Sequence, residues 1–217
     1  MANNNLITLT EPRSEAAEAF RTLRTNLMFS SAEKPLTTIL VTSASNEDGK
    51  SHAVANLAVT FAQAGNKTIL VDADLRRPVQ HEIWGMSNER GLTTMMLEDT
   101  AMSTPPLVET DIENLSILPS GALPPVPTDV LSNQRMNDVI GVLKARANYI
   151  IFDSPPILAA SDAALLGNKI DGVLLIVQSG HTRRDNVEKA KLALEQINVN
   201  ILGVALTNAP RSATRKY

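Results

Sequence analysis

The sequence predicts an α/β domain built on a mainly parallel β-sheet with helices on both faces, and three observations carry that expectation. Runs of β-branched and aliphatic residues alternate with segments of helical periodicity. Several runs, such as Gly172-Val173-Leu174-Leu175-Ile176-Val177, are apolar at nearly every position, as strands covered on both faces are. A loop of small and polar residues, Ala44-Ser45-Asn46-Glu47-Asp48-Gly49-Lys50-Ser51, joins a strand pattern to a helical one. At 217 residues with 43% apolar side chains, the chain suits one domain over 1–217, with mobile segments at about 1–13 and 209–217.

In chain order, Met1 to Pro12 is polar, and Phe20, Leu23 and Leu27 keep helical spacing between Ser14 and about Phe29. Thr37-Thr38-Ile39-Leu40-Val41-Thr42-Ser43 has the β-branched density of a buried strand. Beyond the loop, Ala53, Leu57, Phe61 and Ala64 recur at helical spacing until Gly65 stops the pattern. Strand-like runs follow at Thr68–Asp72, Leu115–Leu118, Tyr149–Asp153, Val173–Gln178 and Ile201–Asn208, alternating with helical patterns such as Asp138–Ala147 and Asn186–Ile197. Between Met86 and Pro127 the pattern weakens into polar, proline-rich sequence, which reads as loops and short elements at the working edge of the sheet.

Strand, loop and helix in that order make the 44–51 segment a phosphate-binding loop and the domain a P-loop NTPase fold. Backbone N–H groups of the loop and first helical turn point at a polyphosphate. Gly49 allows close approach, Lys50 reaches the outer phosphates, and the Ser51 hydroxyl can ligate the magnesium that travels with ATP. His52 follows and caps or packs on the first turn. Asp72 and Asp74, two apart at the end of an apolar run, share one face of an extended segment, and Tyr149-Ile150-Ile151-Phe152-Asp153 ends on a third carboxylate. Ligands of open α/β sheets sit beyond the carboxyl ends of the strands, so these aspartates belong beside the phosphates and their Mg2+. Asn208 ends the last strand, where an adenine contact and a turn role both fit.

Composition narrows the alternatives. A net charge of −3 argues against a general nucleic-acid or anionic-membrane binder. With no cysteine, no long apolar run and no secretory leader, disulfides, Cys-based metal sites and membrane spans are not expected.

From about Glu15 to Asn208 the chain resembles the bacterial tyrosine kinases of capsule and exopolysaccharide biosynthesis, P-loop autokinases that work with a membrane polysaccharide co-polymerase. The likeness rests on the phosphate loop, Val71-Asp72-Ala73-Asp74-Leu75-Arg76-Arg77-Pro78, Phe152-Asp153-Ser154-Pro155-Pro156, Leu118-Pro119-Ser120-Gly121, Asp171-Gly172-Val173-Leu174-Leu175-Ile176-Val177 and Glu18-Ala19-Phe20-Arg21-Thr22-Leu23-Arg24-Thr25-Asn26. It implies transfer of the ATP γ-phosphoryl group to tyrosine, with Lys50 stabilising charge, Asp72 as candidate base, and Ser51, Asp74 and Asp153 supporting Mg2+; the division of roles among the three aspartates stays open. It further implies subunit contacts in a homo-oligomeric ring through Glu18, Arg21 and Arg24. The expected partners are the cytoplasmic tail of a transmembrane activator and a cognate tyrosine phosphatase, and the expected location is cytoplasmic, peripheral at the inner face of the membrane through that activator.

Departures from the family pattern are Asn46-Glu47-Asp48 before Gly-Lys, His52 after the hydroxyl residue, and a C-terminal segment with a single tyrosine, Tyr217, as phospho-acceptor. Tyr149, at the start of a core strand, is a poor acceptor. Two other readings compete. A partition- or division-site-type ATPase shares this loop class but carries an extra signature lysine where Ser45 and Asn46 stand; a nucleotide-binding regulatory scaffold would have lost transfer activity.

Overall fold

The computed structural model describes residues 6–30, 35–46 and 48–209, so Glu47 and Tyr217 lie outside the described residues. The elements run α1 (Ile7–Thr10), α2 (Glu15–Phe29), β1 (Thr38–Ser43), α3 (Lys50–Gln63), β2 (Thr68–Asp72), α4 (Gln80–Trp84), α5 (Leu92–Leu97), α6 (Thr100–Ser103), β3 (Val108–Glu109), β4 (Leu115–Leu118), α7 (Pro127–Ser132), α8 (Arg135–Lys144), β5 (Tyr149–Asp153), α9 (Asp162–Gly167), β6 (Gly172–Gln178), α10 (Arg184–Gln196) and β7 (Ile201–Thr207). The strands form one seven-stranded sheet in the order β3-β4-β2-β5-β1-β6-β7, parallel except for the short β3, which pairs antiparallel with β4.

Residues of the central strands alternate between two buried faces. Ile39 and Val41 of β1, Leu70 of β2 and Ile151 of β5 pack with α3, with Leu6, which precedes α1, and with Leu27 of α2. Leu40, Val71, Ile150 and Phe152 face the opposite layer, built from α5, α8, α9 and α10. Sandwiched strands expose no polar face, which is why their sequences read as continuous apolar runs. Each parallel crossover returns a strand to the same end of the sheet, so β1, β2 and β5 all deliver their last residues to one edge.

The chain is anchored from Leu6 onward, where polar composition led to the expectation of a mobile segment. Leu6 is fully buried, and Thr8 donates from its N–H and hydroxyl to Asn56 Oδ1 at 3.0 and 2.8 Å. Asn56 in turn donates to the His52 carbonyl at 2.8 Å, so a polar side chain inside α3 holds the N-terminal turn. Ser14 then caps α2, its hydroxyl accepting from the Ala17 N–H at 3.2 Å. The proline-rich 86–127 stretch is short elements and loops, as its weak patterning implied, though it includes α5, α6 and the β3–β4 pair.

At the far edge, β7 departs from the buried pattern: Val204 and Leu206 are 54% and 63% exposed. Their register partners on β6, Leu175 and Val177, are covered, so the helical layer stops one strand short of the edge. An irregularity in this pairing brings the Leu202 side chain against Gly172, where a Cβ would meet it at 2.5 Å.

The opposite end of the sheet is tied by Asp171, just before β6. Its Oδ2 accepts the Thr37 and Thr38 N–H groups at 3.1 and 2.8 Å, and Lys144 reaches Oδ1 at 3.1 Å. Burial alone would raise the proton affinity of this carboxyl, but the Thr38 N–H and the other donors outweigh it and hold the group below its ordinary value. A depressed carboxyl contributes stability above its unfolded pKa, and that contribution is lost as pH falls through the folded one. Asp171→Ala should therefore cost about 1 kcal/mol near neutral pH, a value reduced for the partial exposure of the pair, and the deficit should vanish in acid below the carboxylate range. Urea denaturation of both proteins across that range measures it.

Candidate active site

The loop between β1 and α3 is held from outside. Gly49 takes φ 68°, a left-handed conformation that turns the chain into α3, and its carbonyl accepts the Ala53 N–H at 3.1 Å. Asp48 is fully buried: its Oδ2 accepts the Ser45 N–H at 2.8 Å and its Oδ1 accepts the Thr182 hydroxyl at 2.5 Å. The Thr207 hydroxyl donates to the Asp48 carbonyl at 3.1 Å, and Thr182 is itself fixed by the Gln178 N–H at 2.9 Å. Both ends of Asp48 are thus pinned by the segments that follow β6 and close β7. Ala44 is buried, Ser45 half-buried, and Asn46 and His52 exposed, so His52 has no ligand-like enclosure.

Lys50 opens α3 with its side chain buried, and Nζ donates to Asp153 Oδ1 and, at 3.3 Å, to the Ser51 hydroxyl. Asp72 and Asp153 are register partners on β2 and β5, both fully buried. Burial, reinforced by the Asp153 charge, pushes the Asp72 carboxyl well up from its ordinary value, although the Gln80 N–H opposes the shift. Asp72 Oδ1 accepts the Asp74 N–H at 3.3 Å, and Oδ2 accepts the Val79 and Gln80 N–H groups at 3.1 and 2.9 Å. This residue therefore shapes the 73–80 turn. Asp74, raised by burial, accepts the Arg76 and Arg77 N–H groups on Oδ1 at 3.2 and 2.9 Å, while its Oδ2 accepts no hydrogen bond among the described residues.

Two partners escaped the sequence reading. Gln80 donates from Nε2 to the Ser51 carbonyl and to Asp153 Oδ2, at 3.0 and 2.8 Å. Arg76 donates from Nε and Nη2 to the two oxygens of buried Asp162 at 3.0 and 2.9 Å, fastening the turn after β2 to the start of α9. The signal for Gln80 was slight: an uncharged amide just past the Pro78 stop, four residues before the only tryptophan.

The donor set fits a magnesium ion. Three buried carboxylates surround one buried ammonium, leaving negative charge that a divalent cation would neutralise, and Ser51, Asp74 and Asp153 offer hard oxygen ligands. Among the described residues no three His, Cys, Asp or Glu side chains form a ready cation cage. Magnesium takes one or two carboxylates and leaves its other positions to phosphate and water.

Comparison with known proteins identifies the family. Residues 35–209 match the family described as ParA, an NUBPL iron-transfer P-loop NTPase. The tyrosine-protein kinase YwqD of Bacillus subtilis (strain 168) is 39% identical over 213 residues, 98% of this chain and 90% of that protein. The chain belongs to the bacterial tyrosine-protein kinases. Among solved structures, the chimerical protein CapA2B2 superposes with TM-score 0.90 at 35% identity, over 95% of this chain and 90% of that one. The kinase domain of Escherichia coli tyrosine kinase ETK gives 0.87 at 29% identity, over 100% and 86%. The broader ParA-type match places the kinase in the P-loop class it shares with the partition-type ATPases. Its iron-transfer description finds no thiolate ligands here, since these 217 residues contain no cysteine.

The remaining candidate residues of the kinase are dispersed. Asn208 follows β7 in a left-handed conformation, φ 51°, and is exposed. On α2, Arg21 donates to Glu18 at 2.8 Å and also meets the Pro12 carbonyl, whereas Arg24 turns inward and donates to the Thr60 carbonyl of α3 at 2.9 Å. Tyr149 packs its ring on Phe61, with centroids 4.4 Å apart. Freeing the phosphate loop from its outer supports tests their worth: Asp48→Ala should weaken binding of a fluorescent ADP analogue by about tenfold, roughly 1.4 kcal/mol. Unchanged affinity would show that the loop holds its shape without the clamp.

Proposed function

We propose that this chain transfers the γ-phosphoryl group of ATP to a protein tyrosine, as an autokinase in capsular or exopolysaccharide synthesis and export. The observation that carries this reading is the meeting of Lys50, Ser51 and Asp153 at the mouth of the phosphate loop. Phosphoryl transfer asks mainly for positioning and charge neutralisation. The N–H groups of residues 44–52 cradle the phosphates, and Lys50 exchanges Asp153 for the outer phosphates as negative charge develops there. Ser51, Asp74 and Asp153 would hold magnesium, which would supply charge neutralisation at the phosphate oxygens. Asp72 has the raised proton affinity of a base, but its oxygens already accept N–H groups of the 73–80 turn, so acceptance of the phenol proton on Oδ1 competes with those bonds. Asp74 Oδ2 meets an incoming group with less rearrangement.

The phospho-acceptor is Tyr217. The partners are the tail of a transmembrane polysaccharide co-polymerase, which recruits the kinase to the inner face of the membrane, and a cognate tyrosine phosphatase that reverses the reaction. Among the described residues no helix is long and apolar enough to cross a membrane. A homo-oligomeric ring would use the exposed Glu18–Arg21 side of α2.

Phosphotyrosine assays of wild type, Lys50→Met and Tyr217→Phe, with ATP, magnesium and an activator tail, test the assignment, with circular dichroism to confirm folding. Signal is expected from wild type only, and phosphotyrosine from Lys50→Met would refute the site. ATP binding without transfer under every condition would favour the regulatory scaffold. For the ring, Arg21→Ala leaves the Arg24–Thr60 contact in place and should lower the oligomer mass by light scattering; an unchanged mass would remove Arg21 from the interface.

A further inference from the structure

Gln80 is the only uncharged side chain that bridges the phosphate-loop helix and the acidic strand ends among the contacts just described, and its amide has no freedom of orientation. Trp84 Nε1 donates to Gln80 Oε1 at 3.2 Å, and an indole N–H can only donate. The amide nitrogen must then face the Ser51 carbonyl at 3.0 Å and Asp153 Oδ2 at 2.8 Å, both of which can only accept. The side chain is fully buried, and the backbone N–H of the same residue holds Asp72 Oδ2 at 2.9 Å. One residue therefore touches the ligand-bearing turn of α3, Asp72 and Asp153.

The consequence falls on Asp153. With Oδ2 held by Gln80, rotating the carboxylate about its terminal bond would break that hydrogen bond, and Oδ1, the oxygen facing Lys50, is the one presented to the loop. We propose that Gln80, oriented by Trp84, is a positioning residue that makes Asp153 a one-oxygen ligand for the magnesium of the bound nucleotide. This rests on the reading of the site as a magnesium–nucleotide centre. Outer-shell hydrogen bonds of this kind set ligand orientation, and their loss weakens metal binding by about 10- to 100-fold.

Gln80→Met keeps the volume and removes both donors. Trp84→Phe keeps a buried aromatic ring, loses the indole N–H along with part of the ring system, and frees the amide to turn. The full chain is titrated with MgCl2 at fixed fluorescent ADP analogue, alongside a titration of the analogue in EDTA and a melting curve. The magnesium midpoint should rise about 10- to 100-fold in Gln80→Met and by a smaller factor in Trp84→Phe, with analogue affinity in EDTA unchanged. Emission of Trp84, the only tryptophan of the chain, should respond to Mg–ADP in wild type and not in Gln80→Met. A purely packing role would lower the melting temperature and leave the magnesium midpoint where it was, which overturns the proposal. Should Gln80→Met not fold, an unchanged midpoint in Trp84→Phe overturns it equally. Wild-type binding that ignores magnesium would instead remove the nucleotide-centre reading, and this inference with it.

Discussion

Asp72 and Asp153 lie side by side on paired strands, both fully buried, and the working edge of the domain is organised around that confinement of like charge. Two carboxylates in a medium of low polarity repel strongly unless donors and cations surround them. The fold supplies both. Asp72 is quenched by backbone N–H groups of the turn that follows it, while Asp153 takes the Lys50 ammonium on one oxygen and the Gln80 amide on the other. Removing either partner of a buried pair costs on the order of 3–5 kcal/mol, so neither carboxylate can be regarded apart from its neighbours.

This arrangement follows from topology. A parallel sheet with β5 between β1 and β2 brings the phosphate loop and both strand-end aspartates to one edge, although they lie far apart in the chain. Helices on both faces then exclude water from the strand ends. The loop is shaped from the other side as well, since Asp48 is gripped by Thr182 and Thr207 from the segments flanking α10. Distant parts of the chain thus converge on a loop of a few residues.

Much of this was legible in the sequence because it is written in local patterns. Continuous apolar runs marked the sandwiched strands, the Gly-Lys-Ser loop marked the start of α3, and Asp72, Asp74 and Asp153 stood at strand ends. What was hidden depends on contacts across the fold. Nothing local says that Thr182 reaches Asp48, that Arg76 clips Asp162, or that Gln80 orients Asp153. The burial of Leu6 and Thr8 was missed for a related reason: a polar segment reads as loose until its leucine finds apolar neighbours and its threonine finds Asn56 in α3. Arg24 reads as a surface charge from helical spacing alone, and only the closeness of α2 to α3 turns it inward.

In the proposed nucleotide site the Lys50–Asp153 pair would also act as a discriminator. A lysine already satisfied by a carboxylate will leave it only for something at least as negative. A nucleotide bearing outer phosphates brings that charge to the mouth of the loop, whereas a nucleoside or a monophosphate stops short of it. On the proposed reading the ion pair would set a threshold on phosphate-chain length, admitting di- and triphosphates by the charge they carry before any contact with the base contributes.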